Sequence, residues 1–489
     1  MRHLAPIFAT TLVVAACNGD DTSAETSATG TAGSTSAATN ATTTATTDGT
    51  ATGSSSSMSG SASESDSGTS TAASTSTTGT TTDTSTSGTT GTTSTTGSTG
   101  MVSSTTDTGN TGDPPCMPGD MMGMGDVEKS FLWVANTDEG TIAKVDTQTV
   151  KELARYRSGP TGANEDPSRT AVSVDGRFVI VNNRNTGRTT MIAANVEDCK
   201  DKNNNGMIET SKNPADILAW DLEECILWST VLPVSPGENG AGPRGVTWTP
   251  GDWDEVSCSF INPKVWVGYR PSEGVAHMAR LNGNTGAVEN TVVINNWFNG
   301  DTWWGPYGAA LDASQKVWFT GLRGNLYSID TKNNDALKEY TSPGDSQFYG
   351  MTVDSKGRTW TAGCAGPVYR FDPMNQQFTA VPGTDDCYRG IGADKEGHIW
   401  TAANFNCGVM QIDADTATVI QFHQLNPCTT PVGISVDTEG FVWVVDEWEG
   451  AWKIDPINTN NKQFLPIANE HYTYSDMTGG QLKSVILPQ

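Results

Sequence analysis

A short phrase recurs beyond Val127 of this 489-residue chain, and it limits the possible folds more than any other feature. The full phrase consists of an alternating run ending in Asp, a turn with Gly, an apolar residue followed by Trp, and a second short strand ending in Asp. The clearest copies are residues 306–330, 348–372, 388–413 and 431–455, and weaker ones are 131–146, 168–194 and 243–250 with 265–281. The marker residues of the seven copies are Trp133, Val179, Trp266, Trp318, Trp360, Trp400 and Trp443.

The spacing of these markers predicts the architecture. The last four intervals are 52, 42, 40 and 43 residues, and each interval has room for several short alternating strands. A period of about 40–50 residues with this content is typical of a β-propeller, in which a large Trp ring fills the space between blades. We therefore predict an all-β fold, a seven-bladed β-propeller over residues 114–489. Two stacked β domains are the alternative, and the near-even spacing disfavours them.

The first copy lacks its innermost strand, because it begins directly with a second strand at Phe131. Residues 474–487 follow the seventh copy and have strand character. We predict that this C-terminal strand fills the gap in the first blade, which closes the ring and removes exposed sheet edges.

The N-terminal region predicts export and a lipid anchor. Residues 1–16 have a basic start and an apolar stretch ending in small residues, as in a signal peptide, and Cys17 follows as in a bacterial lipobox. An ordinary signal peptide with an incidental cysteine is the alternative. Asn18 after the cysteine favours the outer membrane or cell surface of a Gram-negative bacterium. Residues 17–113 are rich in Ser, Thr and Gly and predict a disordered linker, or an O-glycosylated stalk.

Charge and hydropathy exclude other classes. The net charge is −26, which repels phosphate backbones, so we expect no nucleic-acid partner. No apolar run near 20 residues follows the leader, so we expect membrane contact through the N-terminal lipid only, and a monomer.

The repeated phrase Asp-x-x-Gly-x-apolar-Trp, followed about 20 residues later by Gly-x-apolar-x-x-Asp, resembles the virginiamycin B (streptogramin) lyase-like propellers and the related NHL-type repeats. The resemblance covers residues 128–487. It implies a metal-assisted elimination by histidines that face the central channel near the start of the innermost strands. A lyase acting on a cyclic peptide or ester is therefore one candidate function.

The residues at the predicted starts of the innermost strands, here called the strand-start positions, do not match that mechanism. They are Arg169, Arg244, Tyr307, Tyr349, Arg389 and Val432, and none is histidine. The four histidines of the mature chain, His277, His398, His423 and His471, do not fall at matching blade positions. We therefore favour a binding or recognition module over an enzyme.

The arginines and tyrosines at these positions predict a ligand site. Equivalent blade positions converge at one mouth of the channel, and a guanidinium group binds carboxylate or phosphate through two hydrogen bonds. We expect a protein, a glycan or a small anionic molecule as the ligand. In the alternative, the arginines pair with Asp301, Asp446 or Glu447 and only join the blades.

Several aromatic residues form a second candidate surface. Trp297, Phe298, Trp303 and Trp304 precede the fourth copy, and Trp448 follows the last marker. They suit sugar stacking or protein contacts, or they fill gaps between blades.

An insertion at about residues 197–230 contains a calcium-loop pattern. The donors at alternate positions are Asp201, Asn203, Asn205, the Met207 carbonyl and Glu209, with Gly206 at the sharp turn. Lys212 stands where such loops place a bidentate Glu, so the last carboxylate would come from Asp221, Glu223 or Glu224. We predict a structural Ca²⁺; the alternative is an Asn/Gly-rich hairpin turn.

The chain has nine cysteines, and lipidation of Cys17 leaves eight for disulfides in an exported protein. Equivalent blade positions predict Cys364–Cys387 and Cys407–Cys428. Cys199 and Cys225 bracket the calcium-loop pattern, so we predict that they form a third disulfide. The two remaining cysteines, Cys116 and Cys258, would then form the fourth.

Overall fold

The computed structural model describes residues 130–257, 259–297, 303–344 and 346–486. These residues belong to one compact unit. Several sequence predictions concern residues outside the described ranges: the signal peptide, the linker with Cys17, the first part of the propeller domain at 114–129, Cys116, Cys258, Phe298 and Asp301. No helix among the described residues is long and apolar enough to cross a membrane.

The described strands form eight antiparallel sheets, and seven of these are the blades of a propeller. Blade one contains β1 Phe131–Asn136, β2 Thr141–Asp146 and β3 Lys151–Arg157. Blade two contains β4 Pro167–Val172, β5 Phe178–Asn183, β6 Arg188–Ala193 and β7 Ile226–Val231. Blade three contains β8 Val246–Thr249, β11 Lys264–Ser272, β12 Val275–Asn282 and β13 Val288–Asn295. A separate hairpin, β9 Asp252–Asp254 with β10 Ser259–Ile261, lies between β8 and β11. The seven-bladed all-β prediction is confirmed.

The last four blades follow the repeat closely. Blade four contains β14 Gly308–Leu311, β15 Lys316–Thr320, β16 Leu326–Asp330 and β17 Ala336–Tyr340, and blade five contains β18 Phe348–Val353, β19 Thr359–Gly363, β20 Tyr369–Asp372 and β21 Gln377–Ala380. Blade six contains β22 Tyr388–Ala393, β23 His398–Ala403, β24 Gly408–Asp413 and β25 Thr418–Gln424. Blade seven contains β26 Pro431–Val436, β27 Val442–Asp446, β28 Gly450–Ile454 and β29 Lys462–Pro466. In blades two to seven the first strand is innermost, and these six strands contact one another in ring order.

The repeated Asp and Trp form one hydrogen-bonded unit in blades four to seven. The Trp Nε1 donates to the Asp Oδ2 at 2.8 Å in each blade, six residues apart along the chain. The other carboxylate oxygen accepts two backbone N–H groups of the turn, as Asp354 does from Lys356 at 2.9 Å and Arg358 at 3.0 Å. The phrase therefore recurs because one carboxylate accepts hydrogen bonds from both the backbone of the tight turn and the N–H of the buried indole.

The C-terminal segment, taken here as residues 471–486, occupies the inner position of blade one. The backbone N–H of Trp133 donates to the Met477 carbonyl at 3.0 Å, and Tyr474 makes a parallel bridge with Arg169. Gly390 and Gly433 are equivalent glycines of blades six and seven, and each lies against the backbone of the next blade. A Cβ atom on Gly390 would be closest to the Val432 carbonyl oxygen, at 2.5 Å, and a Cβ atom on Gly433 would be closest to the Thr473 carbonyl oxygen. Thr473 thus holds the place in blade one that Val432 holds in blade seven.

Only the first part of residues 474–487 runs alongside the strands, so the strand prediction for the rest of that segment is wrong. Residues Gly480–Ile486 form helix α1. Gly479 turns the chain at φ +77°, and Asp476 accepts the N–H groups of Gly479 at 2.8 Å and Leu482 at 3.0 Å, which ends the extended backbone. Leu482 packs into the core formed by neighbouring blades, so the helix covers one end of the channel.

Chain direction defines two faces of the ring. The start face is where the innermost strands begin, and it also carries the turns between second and third strands, such as 404–407 and 447–449. The far face is the opposite one, where α1 lies. The predicted disulfides Cys364–Cys387 and Cys407–Cys428 are present on the start face, and Cys199–Cys225 is present in the insertion.

Candidate functional site

The five predicted ligand-binding side chains lie together at the start face. The Arg169 guanidinium carbon lies 4.8 Å from the Tyr307 ring centroid, and that of Arg244 lies 5.4 Å from it. The Arg389 guanidinium lies 5.6 Å from the Tyr349 ring, and the hydroxyls of Tyr307 and Tyr349 are 3.3 Å apart. All five are buried, Arg389 being the most exposed at 6%. The sixth strand-start residue, Val432, is apolar and fully buried.

The C-terminal segment adds two tyrosines that the sequence analysis did not single out. The Arg169 guanidinium lies 3.0 Å from the Tyr474 ring centroid, in cation–π geometry. The Tyr472 hydroxyl lies 3.3 Å from that of Tyr307. The sequence could have identified these two tyrosines, because a segment that takes the place of an innermost strand brings its first residues level with the strand-start positions. We call the seven residues Arg169, Arg244, Tyr307, Tyr349, Arg389, Tyr472 and Tyr474 the start-face cluster.

Two further buried arginines, Arg184 and Arg270, lie beside this cluster. Arg184 pairs with Asp166, and its guanidinium lies 5.0 Å from the Tyr472 ring. Arg270 pairs with Glu238, and its Nε donates to the Trp303 carbonyl at 2.8 Å. Arg184 directly follows β5, whereas Arg270 lies within β11, near the end of the second strand of its blade. Arg184 lies five residues after the marker Val179 and Arg270 four residues after the marker Trp266, so the repeat gives no shared position that could have identified both.

Part of the alternative interpretation, in which the arginines join blades, also has structural support. Arg389 Nη1 lies 3.3 Å from Glu447 Oε2, one of the predicted acidic partners. Arg244 donates to the backbone carbonyl and the amide oxygen of Asn239, each at 2.9 Å. Asp446 accepts the backbone N–H groups of Thr429 and Thr430 at 2.8 Å. The guanidinium groups therefore already have structural contacts, and a ligand would have to exchange with some of them.

The energetics of this arrangement are unusual for a purely structural core. Burying a charge costs several kcal/mol before pairing, and buried ion pairs are often no more stabilising than apolar residues of similar size. Five arginines below 7% exposure share one end of this channel: Arg169, Arg184, Arg244, Arg270 and Arg389. Concentrated buried charge of this kind is more common at functional sites than in structural cores.

The candidate aromatic surface divides into two groups. Trp297 is buried and donates from Nε1 to the Trp304 carbonyl at 2.7 Å, and the Trp304 ring lies 4.7 Å from the Arg244 guanidinium. These two fill space between blades. Trp303 and Trp448 are about half exposed, and Phe405 is 65% exposed on a turn of the same face. The start face therefore presents apolar rings to solvent beside buried cations.

The four histidines lie apart, each with its own structural contact. His277 Nδ1 is 3.0 Å from the Tyr269 hydroxyl, and His398 Nδ1 is 2.9 Å from Asp394. His423 Nε2 is 3.2 Å from the Gln411 amide oxygen. Burial lowers the pKa of His277, His423 and His471, which disfavours their charged forms.

His471 is the histidine that belongs to the C-terminal segment. Its Nε2 lies 3.0 Å from the Ala468 carbonyl and its Nδ1 3.3 Å from the Asp446 carbonyl. Both ring nitrogens thus face backbone acceptors. The ring holds the segment in place and is not available as a base for a substrate in the channel.

The insertion that contains the predicted calcium-loop residues begins and ends on the far face. The insertion joins β6 to β7, and Arg177 in the turn between β4 and β5 pairs with Asp198. Both are connections of the far face. The loop therefore belongs to the outer strands of blade two, whereas the start-face cluster lies at the innermost strands.

Among known proteins, the chain is similar to several solved structures. No protein-family profile and no curated protein matches the chain. A streptogramin B lyase structure has a TM-score of 0.46 and 18% identity, over 64% of this chain and 86% of that one. Virginiamycin B lyase from Staphylococcus aureus gives 0.45 and 14%, over 64% and 90%. AztD from Citrobacter koseri gives 0.44 and 12%, over 71% and 97%.

Proposed function

We propose that this chain is an exported, lipid-anchored propeller that binds the anionic group of an extracytoplasmic ligand at the start face. The observations that carry the proposal are the concentration of buried arginines at one end of the channel and, at its rim, the buried Arg270, whose partner Glu238 is partly exposed. Guanidinium groups recognise carboxylates through paired charge-assisted hydrogen bonds, and tyrosine hydroxyls add neutral donors.

The proposed location is supported by the disulfides and by the leader. Three disulfides are typical of a protein outside the cytoplasm. Acylation of Cys17 would attach the chain to a membrane, with the outer membrane of a Gram-negative bacterium as the proposed site. A flexible linker of about 95 residues would give the propeller a reach of roughly 55 Å.

Binding is favoured over catalysis because the side chains for acid–base chemistry lie apart. A general base must lie within hydrogen-bond reach of the substrate. The four histidines lie in four different environments, and the strand-start positions hold arginine, tyrosine and valine. We therefore do not propose the lyase activity that the sequence resemblance implies.

The ligand would bind by exchanging carboxylates at the rim. Arg270 is 2% exposed, whereas the side chain of its partner Glu238 is 30% exposed and can swing into solvent. A ligand carboxylate can then take the place of Glu238 on Arg270 with no new buried charge. The exposed rings of Trp303 and Trp448 on this face suit a sugar or peptide attached to that carboxylate.

An experiment with charged and neutral probes tests the proposal. We expect the full chain to bind oligogalacturonate, measured by isothermal titration calorimetry, more tightly than the methyl-esterified form. Arg270→Lys keeps the charge but loses the planar fork, so we expect it to weaken binding by about 10- to 100-fold.

The control is Arg177→Ala, because Arg177 is about half exposed at the far face and should leave binding unchanged. Peptides with free and amidated C-termini provide a second pair of probes. Equal affinity for charged and neutral probes, or for the wild type and Arg270→Lys, would contradict the proposal.

A further inference from the structure

Trp303 keeps a large aromatic ring at the surface of the start face. Among the residues that the structure describes, Trp303 and Trp448 are the only exposed tryptophans, at 48% and 47%. The six marker tryptophans, by contrast, are at most 1% exposed. Tryptophan is highly buried on average, and it is enriched among the residues that contribute most to binding. An exposed tryptophan beside a buried cation therefore needs a functional explanation.

The backbone around Trp303 is fixed although its ring is exposed. The Trp303 carbonyl accepts the Nε of Arg270 at 2.8 Å. Two residues later, the backbone N–H of Gly305 donates to the Gly240 carbonyl at 3.2 Å. A ring on a backbone held in this way loses little conformational freedom when a ligand packs on it, so more of the contact energy remains as affinity.

The indole lies against Gly240, close to the rim pair of Arg270 and Glu238. A Cβ atom on Gly240 would lie 2.6 Å from the Trp303 Cδ1 and 2.9 Å from the Trp303 carbonyl oxygen, which is the acceptor of the Arg270 Nε. The edge of the indole and the guanidinium group are therefore close together. Gly240 also follows Glu238 by two residues, and Glu238 is the carboxylate that a ligand would replace.

Amide side chains lie beside this ring and this cation. Asn239 lies between Glu238 and Gly240, and its amide nitrogen donates to the Asn185 side-chain oxygen at 2.7 Å in an exposed position. Amide groups offer both donors and acceptors to hydroxyls. The rim near Arg270 therefore combines a planar apolar surface, a cation and neutral hydrogen-bonding groups, as sites for small polar molecules do.

We propose that Trp303 is the stacking surface for a sugar ring whose own carboxylate binds Arg270, so that the ligand is a uronic acid. The inference rests on the proposed function, in which a ligand carboxylate replaces Glu238 on Arg270. In a uronic acid the carboxylate is bonded directly to the sugar ring, so charge and ring are as close together as the guanidinium and the indole are here. At a peptide C-terminus, further rotatable bonds separate an aromatic ring from the carboxylate, and their ordering costs affinity.

Trp448 provides a matched control because it is equally exposed on the same face but lies far from Arg270. It is in the turn after β27 of blade seven, whereas Arg270 lies in blade three. The innermost strands contact one another in ring order, so three blade steps separate these two residues by the shorter way round. One sugar unit held at Arg270 therefore cannot reach the Trp448 ring.

Calorimetric titration of the full chain with oligogalacturonate and with trialanine, a carboxylate without a ring, tests the inference. Trp303→Ala should weaken oligogalacturonate binding by about 10-fold and leave trialanine binding unchanged. Trp448→Ala should leave both unchanged, whereas Arg270→Lys should weaken both. Bound oligogalacturonate should also protect one exposed tryptophan from acrylamide quenching, and this protection should be lost in Trp303→Ala and kept in Trp448→Ala.

The variants separate a failure of the stacking surface from a failure of the anion site. The stacking assignment is overturned if Trp303→Ala binds oligogalacturonate like the wild type or weakens both probes equally, while an effect of Arg270→Lys would still support the anion site. Tighter binding of a peptide ending in phenylalanine would overturn the uronic acid class. If the wild type binds no charged probe, the proposed function and this inference both fail. Circular dichroism of Trp303→Ala checks that the fold is intact.

Discussion

The Asp–Trp unit of blade five allows a quantitative test of how the repeat stabilises the ring. Asp354 accepts the Trp360 Nε1 at 2.8 Å, the backbone N–H groups of Lys356 and Arg358, and the Arg358 Nε at 2.7 Å. Asp354→Ala removes all four hydrogen bonds and leaves the N–H of a fully buried indole without an acceptor. An unsatisfied buried donor costs about 1–3 kcal/mol, and each turn hydrogen bond about 0.5–1.5 kcal/mol. We expect a total loss of about 3 kcal/mol.

The matched control is Asp372→Ala in the β20–β21 turn of the same blade. Asp372 accepts the backbone N–H of Met374 at 2.9 Å and the amide of Asn375 at 3.1 Å, both at the surface. That variant should lose less than about 1 kcal/mol. Urea unfolding followed by tryptophan fluorescence measures both. The reasoning is refuted if Asp354→Ala costs no more than Asp372→Ala.

Two further predictions concern the inner ring and the C-terminal segment. Gly390→Ala should destabilise the fold by about 2 kcal/mol or more, because the new Cβ would lie 2.5 Å from a backbone carbonyl oxygen. Gly344→Ala is the control, because the space around Gly344 is open, and it should leave the unfolding free energy unchanged in the same urea assay. Burial raises the pKa of Asp476 to about 6 in the folded state, so its stabilising contribution is present at low pH and is lost as the pH rises through about 6. The difference in unfolding free energy between the wild type and Asp476→Asn should therefore change by about 2 kcal/mol between pH 4 and pH 7, and a constant difference would contradict this.

The blades could be predicted from the sequence because their physical cause is local. The Asp and the Trp that it binds lie within seven residues of one another, on either side of a tight turn, so the repeat shows directly in the chain. Two of the three disulfides follow from the same periodicity, since Cys364 and Cys407 hold equivalent positions in successive blades. The third, Cys199–Cys225, is predicted because its cysteines bracket the calcium-loop pattern.

The end of the chain could not be predicted in the same way. The pattern of residues 474–487 is compatible with a strand, but Asp476 and Gly479 fix a turn through hydrogen bonds that local propensity does not reveal. Helix α1 then packs on residues of distant blades, such as Leu311 and Met351. Tertiary contacts of this range override a local strand preference.

The C-terminal segment also decides where a ligand can bind at the start face. Rotational symmetry predicts that the strand-start residues converge, but it does not predict that Tyr474 stacks on Arg169 and fills the centre of the channel. A ligand that entered the channel would have to displace an inner strand of blade one, which would open the ring. The rim pair of Arg270 and Glu238 needs no such rearrangement, since Glu238 already borders solvent. Recognition at this face is therefore expected at the rim of the channel and not in its centre.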